Sequence, residues 1–156
     1  QVLTSAGAGA PPTFAAAGGG KVLQVIEDTL TGEFESSSTS FVATGLTVDI
    51  TPSATSSKIL VFGFPSGDSK GNRYIYTTIY RDSTNLATGG TGVDGMAISY
   101  TADGERLYGA LPVMKLDSPN TTSQVTYSIY ARTNTGTFRL GQHNQTQTMV
   151  VMEIGA

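Results

Sequence analysis

Residues 121–133 read TTSQVTYSIYART. Val125, Tyr127, Ile129 and Ala131 take alternate positions, with Thr126, Ser128, Tyr130 and Arg132 between them. This period of two places the apolar set on one face of an extended strand, whereas a helix would scatter the same side chains around its axis. β-branched and aromatic residues strengthen the reading, because a helix costs them χ1 freedom against the preceding turn. Ser118, Pro119 and Asn120 break the chain before the segment, and Asn134, Thr135 and Gly136 turn it afterwards.

The same arrangement recurs on either side. Leu46, Val48 and Ile50 alternate with Thr47, Asp49 and Thr51 as far as Pro52, after a turn expected at Gly45. KILVFGF, residues 58–64, opposes Ile59, Val61 and Gly63 to Leu60, Phe62 and Phe64, so neither face looks solvated. One face of a sandwich strand is normally wet. The segment therefore predicts a central strand whose second face is covered by another subunit or by a loop of the same chain. TMVVMEI, residues 148–154, is likewise apolar on both faces except at Glu153, which predicts a central place for the last strand.

Several segments are weaker. Residues 21–28, KVLQVIED, predict a first strand, and EFESSST, residues 33–39, an edge. LYGALPVMKL, residues 107–116, carries Pro112, which lacks a ladder donor, so an edge or a bulge is expected. Residues 65–71, PSGDSKG, read as a turn-rich loop, and 85–95, with Gly89, Gly90, Gly92 and Gly95, as a surface loop lacking the strand and helix of a phosphate cradle. Met96, Ile98 and Tyr100 alternate in a short strand. No interval has a helical period. The chain is all-β, and the expected fold is a β-sandwich with jelly-roll topology.

Residues 1–20, QVLTSAGAGAPPTFAAAGGG, hold no sustained period, and Gly, Ala and Pro dominate them. They predict an N-terminal arm ahead of a β-sandwich domain at 21–156. The arm is expected to order against neighbouring chains with Val2, Leu3 and Phe14 as anchors; a flexible leader is the other reading. The chain opens at Gln1, which predicts processing or a piece of a longer polypeptide.

Composition narrows the function classes. The 156 residues are 38% hydrophobic and 13% charged, with a net charge of -3. That suits a packed domain with a surface of Ser, Thr, Asn and Gln, and it gives little pull toward nucleic acid or an acidic membrane. No apolar run reaches the length of a membrane span. The absence of cysteine excludes disulfides and thiolate chemistry.

No chemistry is announced, and no enzyme, cofactor or metal site is expected. His143 is the single histidine, in GQHNQT, and reads as a loop residue; near a threefold axis, three copies could converge on an ion. A Ser-His-acid triad would have to use it, and no nucleophile-elbow pattern is present. Asp94, Asp103 and Glu105 are oxygen ligands without the spacing of a calcium loop. Tyr74, Tyr76 and Tyr80 share one side of NRYIYTTIYRD, residues 72–82, as cross-strand packing, a sugar platform or a subunit interface.

GAGAPPTFAAAGGGKVLQV, then STSFVATGLTVDITPSATSSKILV, LDSPNTTSQVTYSIYARTNTGTF and the ending VMEIG together resemble the C-terminal β-domain of tail-fibre and virion-appendage proteins of tailed bacteriophages, especially marine ones, which follows a Gly/Ala-rich linker. The resemblance implies a homotrimeric fibre or spike component of the virion, partnered by fibre, tail or capsid proteins. Its distal part would contact a host-surface glycan or outer-membrane protein. On that reading Leu3, Phe14, Val22, Leu23 and Val25 join subunits, while Tyr76, Tyr80, Asn85, Tyr100, Tyr108 and Asn144 face outward toward a receptor. The alternatives are a monomeric carbohydrate-binding module and a head-decorating fibre domain without a receptor role.

Overall fold

The computed structural model describes residues 2–5, 7–15, 21–87 and 95–155. Its strands are β1 (Val2–Thr4), β2 (Thr13–Ala15), β3 (Val22–Leu30), β4 (Phe34–Ser36), β5 (Val42–Ile50), β6 (Lys58–Phe64), β7 (Ser66–Lys70), β8 (Arg73–Arg81), β9 (Thr84–Asn85), β10 (Ala97–Thr101), β11 (Arg106–Ala110), β12 (Val113–Asp117), β13 (Val125–Thr133), β14 (Phe138–Leu140) and β15 (Gln147–Ile154). One sheet runs β10-β8-β13-β5, with β9 paired to β8; a second runs β12-β6-β15-β3 and a third β11-β7-β14-β4.

The second and third sheets are two halves of one long sheet, because β3 leads into β4, β6 into β7, β11 into β12 and β14 into β15. Each strand carries Gly or Pro at the bend: Gly32, Pro65, Pro112 and Gly141. The bends lie side by side, since the Leu111 N–H donates to the Pro65 carbonyl at 2.8 Å and the Gly141 N–H to the Ser66 carbonyl at 3.1 Å. Gly141 has φ 68° and lies against the Gly32 carbonyl, where a Cβ would collide with backbone. With the bent strands counted as single ones, and the arm strands β1 and β2 and the short β9 set aside, eight strands remain in chain order. Their orders are first-eighth-third-sixth and second-seventh-fourth-fifth, which is the double Greek key of a jelly roll.

The alternation in residues 121–133 is realised in β13, where Val125, Tyr127, Ile129, Ala131 and Thr133 are all buried. Val125, Tyr127 and Ile129 cluster with Leu46, Val48 and Ile50 of β5, Ile59 and Val61 of β6, Ile79 of β8 and Met149 and Val151 of β15. A smaller cluster of Ile75, Leu111, Ala131, Phe138 and Leu140, with Phe34 against it, fills the other end. β6 and β15 are central, as their apolar runs predict, and β4, β11 and β12 are edge strands, as 33–39 and Pro112 predict.

Two expectations are corrected. Gly45 does not turn the chain: it stands inside β5 at φ 93°, where the β5–β13 register shifts between Ser128 and Tyr130. Residues 66–70 are not a loop but β7, whose Gly67, Asp68 and Ser69 are buried because β11 and β14 pair on both sides. In the arm, β1 and β2 pair antiparallel, Leu3 opposite Phe14, although no period in the sequence signals a strand there. Glycines 89, 90 and 92, and Asp94, lie outside the described residues.

Candidate assembly and recognition surfaces

The outer side of the β12-β6-β15-β3 sheet is apolar in register. Leu116, Leu60, Met152 and Val25 stand opposite one another in a row across all four strands, and Met114, Phe62, Val150 and Glu27 form the next row. Met114 is 63% exposed, and Leu116, Phe64, Leu23 and Val25 are also exposed. Leu60, Phe62, Val150 and Met152 are half-buried by their neighbours in the sheet. At the usual strand spacing of about 4.8 Å, such a row makes a broad patch of the kind that marks an interaction surface. Of the residues expected to join subunits, Leu23 and Val25 lie on this patch and Val22 lies beside it at the bulge opposite Ile154. Leu3 and Phe14 are exposed on the arm hairpin. Phe62, Met114, Leu116, Val150 and Met152 belong to the patch but were not among the residues singled out; the two-faced apolarity of KILVFGF and TMVVMEI was the signal for three of them.

The outer side of β10-β8-β13 carries a run of rings. Tyr100 packs on Tyr74 at 4.6 Å between centroids, and Tyr74 stacks on Tyr76 at 6.0 Å. The Arg132 guanidinium lies 4.1 Å from the Tyr76 centroid and 5.2 Å from that of Phe41. Phe41 meets Tyr80 edge-on, and Tyr80 stacks on Tyr130 at 3.9 Å. The rings thus shield each other more than they present a flat platform. Tyr76, expected to face outward, is only 8% exposed, since Arg132 caps it; Tyr80 is half-buried, and Tyr100 is 47% exposed. Asn85 is half-buried and accepts a hydrogen bond from Thr78 Oγ1 at 2.8 Å.

Tyr108 and the turn at 142–145, which follows the bend at Gly141, come together. Tyr108 is 53% exposed and its ring lies 6.0 Å from that of His143, with Asn144 exposed beside it. His143 and Asn144 both have positive φ, 59° and 58°. Tyr108 shares its face of β11 with Arg106, which grips the buried Asp68 through two bonds, Nε to Oδ1 at 2.8 Å and Nη2 to Oδ2 at 2.6 Å. Asp68 was missed because its segment read as a loop.

Two buried ionisable groups pin the scaffold. Glu153 Oε1 accepts from the Ser53 N–H at 2.7 Å and the Ser53 hydroxyl at 2.6 Å, and Oε2 from Gln24 Nε2 at 2.6 Å. Burial opposes its charge, but the hydrogen bonds from Ser53, Ser57 and Gln24 outweigh it and hold the carboxyl down to about 2. Tyr127 donates its hydroxyl to Asp117 Oδ2 at 2.7 Å, where Arg81 Nη1 also donates. Burial and then that bond push the Tyr127 phenol well above its ordinary range. Both groups find their hydrogen-bond partners within the fold, so both read as structural. Among the described residues no cluster of three His, Cys, Asp or Glu side chains could hold a metal ion.

No protein-family model matches the chain, and no curated protein does. Among solved structures it is similar to chains of infectious bursal disease virus. The structure of the Gx strain has 12% identity and a TM-score of 0.42 over 85% of this chain and 41% of that one. The large icosahedral particle of the same virus has 14% identity and a TM-score of 0.41 over 97% and 42%. Particles derived from a mutant VP2 protein have 14% identity and a TM-score of 0.39 over 97% and 40%. The chain thus spans well under half the length of those chains. So distant a likeness carries no functional argument, and the jelly roll rests on the sheet order itself.

Proposed function

We propose that the chain is a structural, non-enzymatic component of a virion, a fibre or spike domain that assembles as a homotrimer and touches a host-surface receptor at its outward residues. The apolar outer rows of β12-β6-β15-β3 carry this reading. A sheet face with Leu116, Leu60, Met152 and Val25 in line is costly in water, at about 25 cal/mol per Å². A closed symmetric assembly covers the same face on every copy. The resemblance to phage appendage domains supplies the virion setting and the number three, and three copies would add weak receptor contacts into useful avidity.

A monomeric carbohydrate-binding module fits less well, because the tyrosines of β8 are stacked on one another and Tyr76 is capped by Arg132. Native mass by light scattering coupled to size separation tests the assembly. The expected result is three chains, falling to one in Phe62→Glu with the strand signal in circular dichroism unchanged. A wild-type monomer at tens of micromolar would overturn the reading.

A further inference from the structure

We propose that the β11-β7-β14 end of the long sheet binds an acidic saccharide, its anionic group held by Lys70, Arg73, Arg106 and Arg139 and its neutral ring lying over Tyr108. The inference deepens the adhesive part of the function proposed above and rests on it.

The pairing of β7 with both neighbours builds the charged part. Arg106 stands opposite Lys70, and Arg139 opposite Asp68. With Arg73, Ser69 and Thr137 they line a cavity of about 150 Å³. A single water needs only about 10–15 Å³, so the space suits a polyatomic anion. Four of the chain's nine cationic residues converge here, in a protein whose net charge is -3. Asp68 neutralises one of them, and Glu33 and Glu35 hold Arg139 Nε at 3.0 and 2.5 Å, which leaves the cavity net positive.

The donors are also oriented. Asp68 consumes Nε and Nη2 of Arg106 and so fixes the guanidinium plane. Arg73 donates Nη1 to the Thr137 carbonyl, while its Nε is buried without an acceptor. Lys70 is exposed and in no salt bridge among the described residues.

A second, neutral concavity adjoins the first. Ser66, Tyr108, Gly109, Ala110, Gln145 and Thr146 line about 480 Å³. The Arg106 guanidinium lies 4.9 Å from the Tyr108 centroid and joins the two spaces. An aromatic ring beside hydroxyl and amide groups suits the apolar face and hydroxyls of a sugar, as the cations suit its carboxylate or sulfate. Tyr108 separates the two chemistries, so one saccharide bearing one acid matches both.

An array of immobilised uronate, sulfated and neutral oligosaccharides, read with the full chain in its native assembly, tests this, with a parallel NMR titration by sodium sulfate. The expected result is selective capture by an acidic class, weakened roughly tenfold or more by Lys70→Glu, as for a lost charged hydrogen bond, and similarly by Tyr108→Ala. Both side chains are exposed, so the variants fold. Sulfate alone binding as tightly as the best acidic sugar overturns the saccharide assignment. Capture through neutral sugars, or capture indifferent to Lys70→Glu, overturns the inference while leaving adhesion standing. No capture by any class also overturns the inference and leaves adhesion to an outer-membrane protein standing.

Discussion

The long sheet has two outer halves with opposite chemistry. On β12-β6-β15-β3 the cross-strand row is Leu116, Leu60, Met152 and Val25. On β11-β7-β14-β4 it is Tyr108, Asp68, Arg139 and Glu35. The strands are continuous and the ladder is the same, so backbone pairing is indifferent to which row lies outside. In the ionic half Arg106 pairs with Asp68, and Arg139 with Glu33 and Glu35, so most of its charge is balanced within the fold. The apolar half is complete only when something covers it. The bend at Gly32, Pro65, Pro112 and Gly141 separates them, so one end of the sheet can serve assembly while the other stays in solvent.

The sharpest test of that contrast uses two neighbours on one strand. Ile59 is buried in the core and Leu60 faces outward. Ile59→Ala should cost about 2–5 kcal/mol in urea unfolding. Leu60→Ala should cost the monomer much less and should instead weaken self-association in analytical ultracentrifugation. Equal effects on both readouts would mean that β6 has no free outer face.

Next in size, Gly141→Ala attacks the seam between the halves. A non-glycine residue at φ 68°, against the Gly32 carbonyl, should cost about 1–3 kcal/mol. Thermal unfolding measures it, and an unshifted midpoint would show that the bend tolerates a Cβ.

Glu153→Gln tests the pin below the apolar half. Losing charge-assisted bonds from Ser53 and Gln24 should cost about 2 kcal/mol at pH 7. The folded pKa, about 2, lies below the unfolded one, so the native carboxylate favours folding above the unfolded value of about 4.3. That stabilisation should fade as pH falls from about 4 toward 2, and the variant should show a flatter pH dependence over the same window. Parallel wild-type and variant curves would contradict the assignment.

The smallest effect belongs to the ionic half. Arg139 pairs with Glu33 and Glu35 in solvent, and such pairs contribute little. Arg139→Gln should leave the unfolding midpoint in place, while weakening any anion binding at the cavity. A clear drop in stability would show that the ionic half is knitted more tightly than exposed pairs allow.

Much of the fold was legible in the amino-acid sequence because a strand's inward and outward residues are set by a period of two, which is local. The alternation in β13 and β5, the centrality of β6 and β15 and the edge at Pro112 all follow from neighbours in the chain. β7 was not legible: a buried Gly67, Asp68 and Ser69 look like a loop until β11 and β14 supply ladders and Arg106 supplies a countercharge. Nor was the arm hairpin, whose small residues carry no period. Tyr76 misled for the opposite reason, since its exposure is removed by Arg132, a residue far along the chain.

The sequence by itself therefore determined an all-β chain, the inner and outer residues of most strands, and the lack of an obvious catalytic group. Only the tertiary structure decided the jelly-roll order, the union of Leu116, Leu60, Met152 and Val25 into one row, and the meeting of Lys70, Arg73, Arg106 and Arg139 around one cavity. The physical reason is that a side chain's face is written in its own strand, whereas its neighbours across a sheet are set by which distant strands pair and in what register.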